Sequence, residues 1–158
     1  MRTKDKESRM EPDLPSAQRV LAEQPYSVLL GTRLVAFEET STILEIDLRE
    51  RHRQQHGFAH GGVISYLVDN AITFAAGTVL GPDLVTAGIS VEYVRPGVGA
   101  LLRAEARVVS HSSHSAVMRC DVTAHDNHED HDGAGRLCAV GHGRALTRPS
   151  QQPLGSVR

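Results

Sequence analysis

The chemistry of this chain concentrates in Gln54-Gln55-His56-Gly57-Phe58-Ala59-His60-Gly61-Gly62 and the apolar run behind it, Val63 to Ala76, which holds a single acid, Asp69. The glycine pair ends a loop and opens a segment long enough for about four helical turns. A helix that starts there offers backbone N–H groups without intrahelical acceptors and the positive end of its dipole. A lone carboxylate on an apolar helix is costly unless it has partners or a task. A charge-stabilising helix start and a buried acid at fixed spacing are the parts of a hydrolytic site. Ser65, Asp69 and Thr73 stand at i, i+4 and i+8 and form one stripe along the helix. Asp69 therefore has two readings: an acid satisfied by Ser65, Thr73 or a nearby loop, or a catalytic carboxylate. The His-Gly-Gly start favours the second.

Spacing adds a constraint. Gly61 and Asp69 are eight residues apart, hence about 12 Å apart along a helix. They cannot both touch one reacting carbonyl. If both act on one substrate, they come from two copies of the helix in an antiparallel homodimer, with two sites per dimer.

The remaining segments must position that helix. Met1 to Pro15 is charged, with two prolines, and reads as a disordered tail. Ser16 to Tyr26 suggests a short helix capped by Ser16, with Val20 and Leu21 turned inward and Pro25 at its end. Leu29–Phe37 and Thr42–Leu48 read as strands joined by a turn at Glu38–Ser41. After an irregular polar stretch, Arg49–Phe58, the long helix runs from Gly61 to about Val79 and stops at Gly81-Pro82-Asp83. Thr86–Val94, Leu101–Ser110, Ala116–His125 and Arg136–Leu146 are four further strands, expected in meander order. Residues 16–147 thus form one α+β domain, with an antiparallel sheet of five to six strands curled around one long helix, and 148–158 form a loose tail.

Composition narrows the function. A chain of 158 residues has room for one core. A net charge of −2 gives no global argument for nucleic acid or an anionic membrane. Met1–Pro15 carries no apolar signal core, and no stretch reads as long enough to span a bilayer. Cys120 and Cys138 form no C-x-x-C or zinc pattern. They read as small core residues and fit a reducing, cytoplasmic compartment. His125, His128 and His131 recur at intervals of three among acids, but a compositional histidine tract is weak grounds for a metal site. The expectation is no metal and no cofactor.

His60-Gly61-Gly62, the acid eight residues after Gly61, and Tyr93-Val94-Arg95-Pro96-Gly97 resemble the hotdog-fold acyl-CoA thioesterases. The likeness is to the phenylacetate-pathway and 4-hydroxybenzoyl-CoA thioesterase types, over roughly Leu29 to Leu146. It implies a hotdog fold, a dimer or dimer of dimers, and hydrolysis of acyl- or aryl-CoA. By that resemblance the Gly61 N–H is the oxyanion donor, and Asp69 of the opposite subunit is nucleophile or general base. Thr73 orients the water or the carboxylate, and Gln54 stands near the thioester. The phenylacetate type carries Asn, usually followed by Pro, where this chain has Gln54-Gln55. The hydroxybenzoyl type carries Glu where it has Asp69, so the set is a hybrid.

His60, Gly62, Ser65 and Arg95 are candidate substrate-binding positions. His60 either relays protons or shapes the loop and bonds across the dimer. Arg95 meets CoA phosphates or is a solvated strand-end cation. Gly57 and Gly62 suit turns or close backbone approach. Phe58, Tyr66, Phe74 and Thr86–Tyr93 are the expected pocket walls. The competing readings are a non-catalytic acyl-CoA-binding protein, which has no use for a buried acid, and a hydratase, whose His-plus-acid placement is not seen here.

Overall fold

The structure is a computed structural model that describes residues 13–129 and 133–149. Two short helices open it. Helix α1 spans Leu14–Ala22, capped by Asp13, whose carboxylate accepts the Ser16 N–H. Helix α2 spans Pro25–Leu30 and closes at Gly31, whose φ of 70° suits glycine. The single helix expected over 16–26 is therefore two. Asp13, not Ser16, is the cap, and Pro25 starts the second helix, where its missing N–H costs nothing. Leu21 turns inward as expected, whereas Val20 is 44% exposed. Most of the expected N-terminal tail lies outside the described residues, but Asp13 to Pro15 belong to the start of α1.

Strands β1 (Arg33–Glu38) and β2 (Ser41–Asp47) form a hairpin. The expected first strand began at Leu29, but Leu29 and Leu30 close α2 instead. A 3-10 turn at Glu50–His52 leads to the long helix α3, Gly61–Leu80, which ends at Gly81 with φ 88°. Strands β3 (Leu84–Tyr93), β4 (Leu101–His111), β5 (Ser115–His125) and β6 (Arg136–Thr147) complete an antiparallel sheet of order β1-β2-β4-β5-β6-β3. Only β4, β5 and β6 follow meander order. β3 crosses to the far edge and pairs with β6, and β4 returns beside β2. Local pattern carries no information about a pairing whose partner lies some 50 residues later in the chain.

Leu67, Val68, Ala71, Ile72 and Ala75 of α3 are fully buried against the sheet. The facing strands mix large buried residues, Leu102, Met118 and Val122, with small ones: Ala104 and Ala106 on β4, Cys120 and Ala124 on β5, Ala139 and Gly141 on β6. A Cβ on Gly141 would run into Val68, and one on Gly143 into Ile72, so glycine at these two positions lets α3 sit close to β6. At 20 residues and a mean hydropathy of 1.5, α3 is long and apolar enough to cross a bilayer. That corrects the expectation that no segment has that length. Here its apolar surface is spent on the sheet.

Candidate active site

Three local devices shape the start of α3. His60 is its N-cap: its backbone is extended, and its Nδ1 accepts the Gly62 N–H at 2.9 Å. The His60 carbonyl accepts from Val63 at 3.0 Å and Ile64 at 3.3 Å. Of the first-turn donors, only the Gly61 N–H has no acceptor among the described residues. The third device is Tyr93 at the end of β3. Its hydroxyl donates to the Gly61 carbonyl at 2.9 Å and lies 2.5 Å from Ser65 Oγ. His60 thus caps the helix and shapes the loop within a single chain.

Gly61 lines a cleft of about 450 Å³ together with Gln54, Phe58, Ile64, Tyr93 and the Arg95-Pro96-Gly97 turn. The Gln54–Phe58 loop folds on itself: Gln54 N–H donates to the Phe58 carbonyl and Gly57 N–H to the Gln54 carbonyl, each at 2.9 Å. The Gln54 side-chain oxygen accepts from the His56 N–H. Its carboxamide is thereby oriented with the NH₂ group as the remaining donor. Arg53 ties this loop to the next by donating to the carbonyls of Gly57 (2.8 Å) and Gly99 (3.0 Å). Behind it, His52 is buried at 1% exposure, accepts the Arg49 N–H on Nδ1, and through its carbonyl holds the His60 N–H at 2.8 Å. Burial, with Arg51 and Arg49 nearby, pushes the His52 pKa below its ordinary value.

The stripe Ser65, Asp69, Thr73 faces β3. Asp69 Oδ1 accepts from Thr86 Oγ1 at 2.6 Å. Thr73 Oγ1 donates to the Asp69 carbonyl at 2.9 Å and lies 3.0 Å from Thr86 Oγ1. Ser65, Asp69 and Thr73 are half-buried in the single chain, not sealed in the core as the apolar run suggested. β3 does not cover them fully because it is an edge strand. Sequence reading does not single out Thr86. It owes its place to a strand read as a generic wall and to a bulge: Thr86 pairs with Ala145 and Gly88 with Arg144, leaving Ala87 unpaired.

A second cavity, about 340 Å³, lies past Thr73 between α1 and the end of α3. Val20, Phe37, Phe74, Gly77 and Leu84 give it an apolar lining without a charged residue. Phe58 and Phe74 thus line cavities as expected, and Tyr66 lines neither of these two. It turns to α2, with its hydroxyl 2.6 Å from Ser27 Oγ and its ring edge-on to Tyr26. Arg95 is exposed and Gly62 lies beside His60. Of the histidine tract, His125 is buried with Nε2 2.8 Å from Thr123 Oγ1, whereas His128 sits on the loop with Nδ1 3.1 Å from Asp47. His131 lies outside the described residues. Among the described residues no group of three His, Cys, Asp or Glu could hold a metal ion.

Comparison with known proteins follows the same lines. The thioesterase superfamily model matches residues 56–130. The chain is 26% identical over 62 residues to the 1,4-dihydroxy-2-naphthoyl-CoA hydrolase of Listeria monocytogenes serotype 1/2a (strain 10403S). That match covers 39% of this chain and spans half the length of the relative. Among solved structures, a thioesterase family protein from Silicibacter pomeroyi superposes with a TM-score of 0.74 at 25% identity, covering 81% of this chain and 92% of its own. A variant of the phenylacetic acid degradation protein PaaI from Thermus thermophilus gives 0.67 at 28% identity, with 79% and 100% covered. Over residues 56–130 the chain is similar to the thioesterase superfamily, and its fold is the hotdog fold of these structures, one curled antiparallel sheet around one long helix.

Proposed function

We propose that the protein is an acyl-CoA thioesterase acting on thioesters with an apolar, uncharged acyl group, and that two subunits share each site. The observation that carries this reading is the Gly61 N–H, a donor at a helix start that lines a cleft and is left without an acceptor among the described residues. In the dimer it polarises the thioester carbonyl from one subunit while Asp69 works from the other. As a base, Asp69 takes a proton from water held by Thr73, and hydroxide adds to the carbonyl. The oxyanion forms against the Gly61 N–H, and collapse of the adduct expels CoA thiolate. As a nucleophile, Asp69 adds directly to the carbonyl, the C–S bond breaks to release CoA thiolate, and water hydrolyses the resulting anhydride to free acid and the Asp69 carboxylate. Gln54 donates to the same carbonyl, and Arg95 at the cleft rim meets the CoA phosphates.

Edge strand β3 supports the pairing. Its free edge is exposed, with Val85 and Ile89 at 43% and 41%, and unpaired strand edges bind further strands. On one chain Tyr93 stands level with Gly61 and Ser65, and Thr86 level with Asp69 and Thr73. A two-fold axis crossing β3 between Thr86 and Tyr93 therefore brings each Gly61 beside the partner's Asp69. The acyl tail then runs past Thr73 into the apolar cavity, which has no partner for a charged acyl end. With Cys120 and Cys138 free and buried, the fold suits the cytoplasm.

The test is turnover of an acyl-CoA panel, aliphatic and aromatic, with released thiol as readout. Wild-type turnover and its loss in Asp69→Asn support the assignment. A wild-type protein that binds acyl-CoA without releasing thiol favours a binding protein instead, a reading to which the Thr86–Asp69 bond lends a structural reason for the acid.

A further inference from the structure

We infer that Tyr93 is a positioning residue for the oxyanion donor, an inference that rests on the thioesterase reading. The helix starts on two consecutive glycines, the residues with the most backbone freedom to lose. A donor carried on such a backbone is effective only if something outside the helix holds it.

The peptide planes on both sides of Gly61 are held. The His60–Gly61 plane is tied through the His60 carbonyl, which accepts from Val63 and Ile64. The Gly61–Gly62 plane is tied at its N–H by His60 Nδ1 and at its carbonyl by the Tyr93 hydroxyl. Tyr93 has one proton, and it goes to the Gly61 carbonyl. Ser65, 2.5 Å away, then donates to the phenol oxygen, giving a relay Ser65–Tyr93–Gly61. The ring also lies against the glycine: a Cβ on Gly61 would stand 3.4 Å from Tyr93 Cζ and Oη.

Tyr93 belongs to edge strand β3, so one side chain couples the donor-bearing turn to the strand proposed for the dimer contact. The position of the Gly61 N–H thereby depends on β3 being in place. Tyr93 itself bonds to the backbone that carries the donor, and its action on the reacting carbonyl passes through that backbone.

Tyr93→Phe keeps the ring and removes the hydroxyl, and Ser65→Ala removes the other half of the relay. The expected result for Tyr93→Phe is a fall in kcat of about tenfold with KM within about twofold, smaller than the loss of a donor itself. Ser65→Ala moves kcat in the same direction by less. Backbone amide exchange in the free protein, a readout independent of turnover, becomes faster at Gly62, Val63 and Ile64 in Tyr93→Phe while the rest of α3 is unchanged. Wild-type kcat together with wild-type amide exchange in Tyr93→Phe overturns the inference. So does a fall that appears only in KM or only as a lower Tm. An inactive wild-type protein on the whole panel sinks the thioesterase reading, and the exchange arm still decides whether Tyr93 clamps the turn.

Discussion

Replacing Gly61 with Pro isolates the proposed donor. Gly61 is the first residue of α3, the position where proline fits a helix because that N–H has no helical acceptor. Gly61 has no positive φ, and His60 before it is extended at φ −63° and ψ 135°, the conformation a residue preceding proline adopts. The added Cβ stands 3.4 Å from Tyr93 Cζ, about van der Waals distance. The substitution thus deletes one N–H and leaves the fold. Loss of one oxyanion donor lowers kcat by about 10²–10³. Asp69→Asn, about 12 Å away along the same helix, abolishes the other half-function. Each variant is then defective at both of its sites. Subunits of the two variants mixed in equal amounts give heterodimers as roughly half of the dimers, and each heterodimer holds one site with both native halves and one with neither. Activity should recover to about a quarter of wild type per subunit in the mixture and to about half in the isolated heterodimer, far above either parent. The assay is co-expression with two affinity tags, purification through both, and thiol release. Doubly tagged dimers with no more activity than the parents refute the shared site. A Gly61→Pro protein with near-native kcat refutes the oxyanion role.

Other consequences are checked more simply. Gly77 has only Leu84 Cδ1 near a notional Cβ, at 3.9 Å. Gly77→Leu should therefore fill the apolar cavity, cut turnover of long or aromatic acyl-CoA about tenfold or more, and spare acetyl-CoA. Gly143→Ala sets a Cβ into Ile72 and 3.0 Å from the Gly88 carbonyl oxygen, and should cost about 1–3 kcal/mol in urea unfolding. For His52 the folded pKa lies below the unfolded 6.5, so the unfolded chain takes up the proton first. Stability is full above about pH 6.5 and falls as pH drops through the folded pKa. A Tm series from pH 8 to 5 should show this slope, reduced in His52→Gln, and equal slopes would remove His52 as its source.

The helix was legible because its ends are written in glycine: Gly61-Gly62 and Gly81 punctuate an apolar run that no strand could use. The stripe Ser65, Asp69, Thr73 was legible from helical spacing. What escaped was whatever depends on partners far along the chain. Nothing in Thr86–Val94 says that β3 pairs with β6 and not β4, so Thr86 could not be seen as the partner of Asp69. Tyr66 reads as a pocket residue by type, and only the placement of α2 shows that it holds Ser27 and Thr32 instead. Residues 14–30 misled in a local way. Pro25 can end one helix or begin another, and the left-handed Gly31 settles which by closing the second.

The crossing of β3 to the edge beside β6 also sets the order in which the molecule can be built. Leu84 pairs with Thr147 and Tyr93 with Ala139, so among the described residues the strand that bears Thr86 and Tyr93 has no partner until β6 has left the ribosome. Until then α3 has lost part of its cover and β3 has two open edges, a state prone to aggregation and slow to resolve because the missing contacts are non-local. A nascent or truncated chain lacking β6 can form the β1–β2 hairpin and the β4–β5 pair, yet it cannot hold Asp69 or Gly61 in place. In this topology the proposed site therefore cannot assemble before β6 is in place.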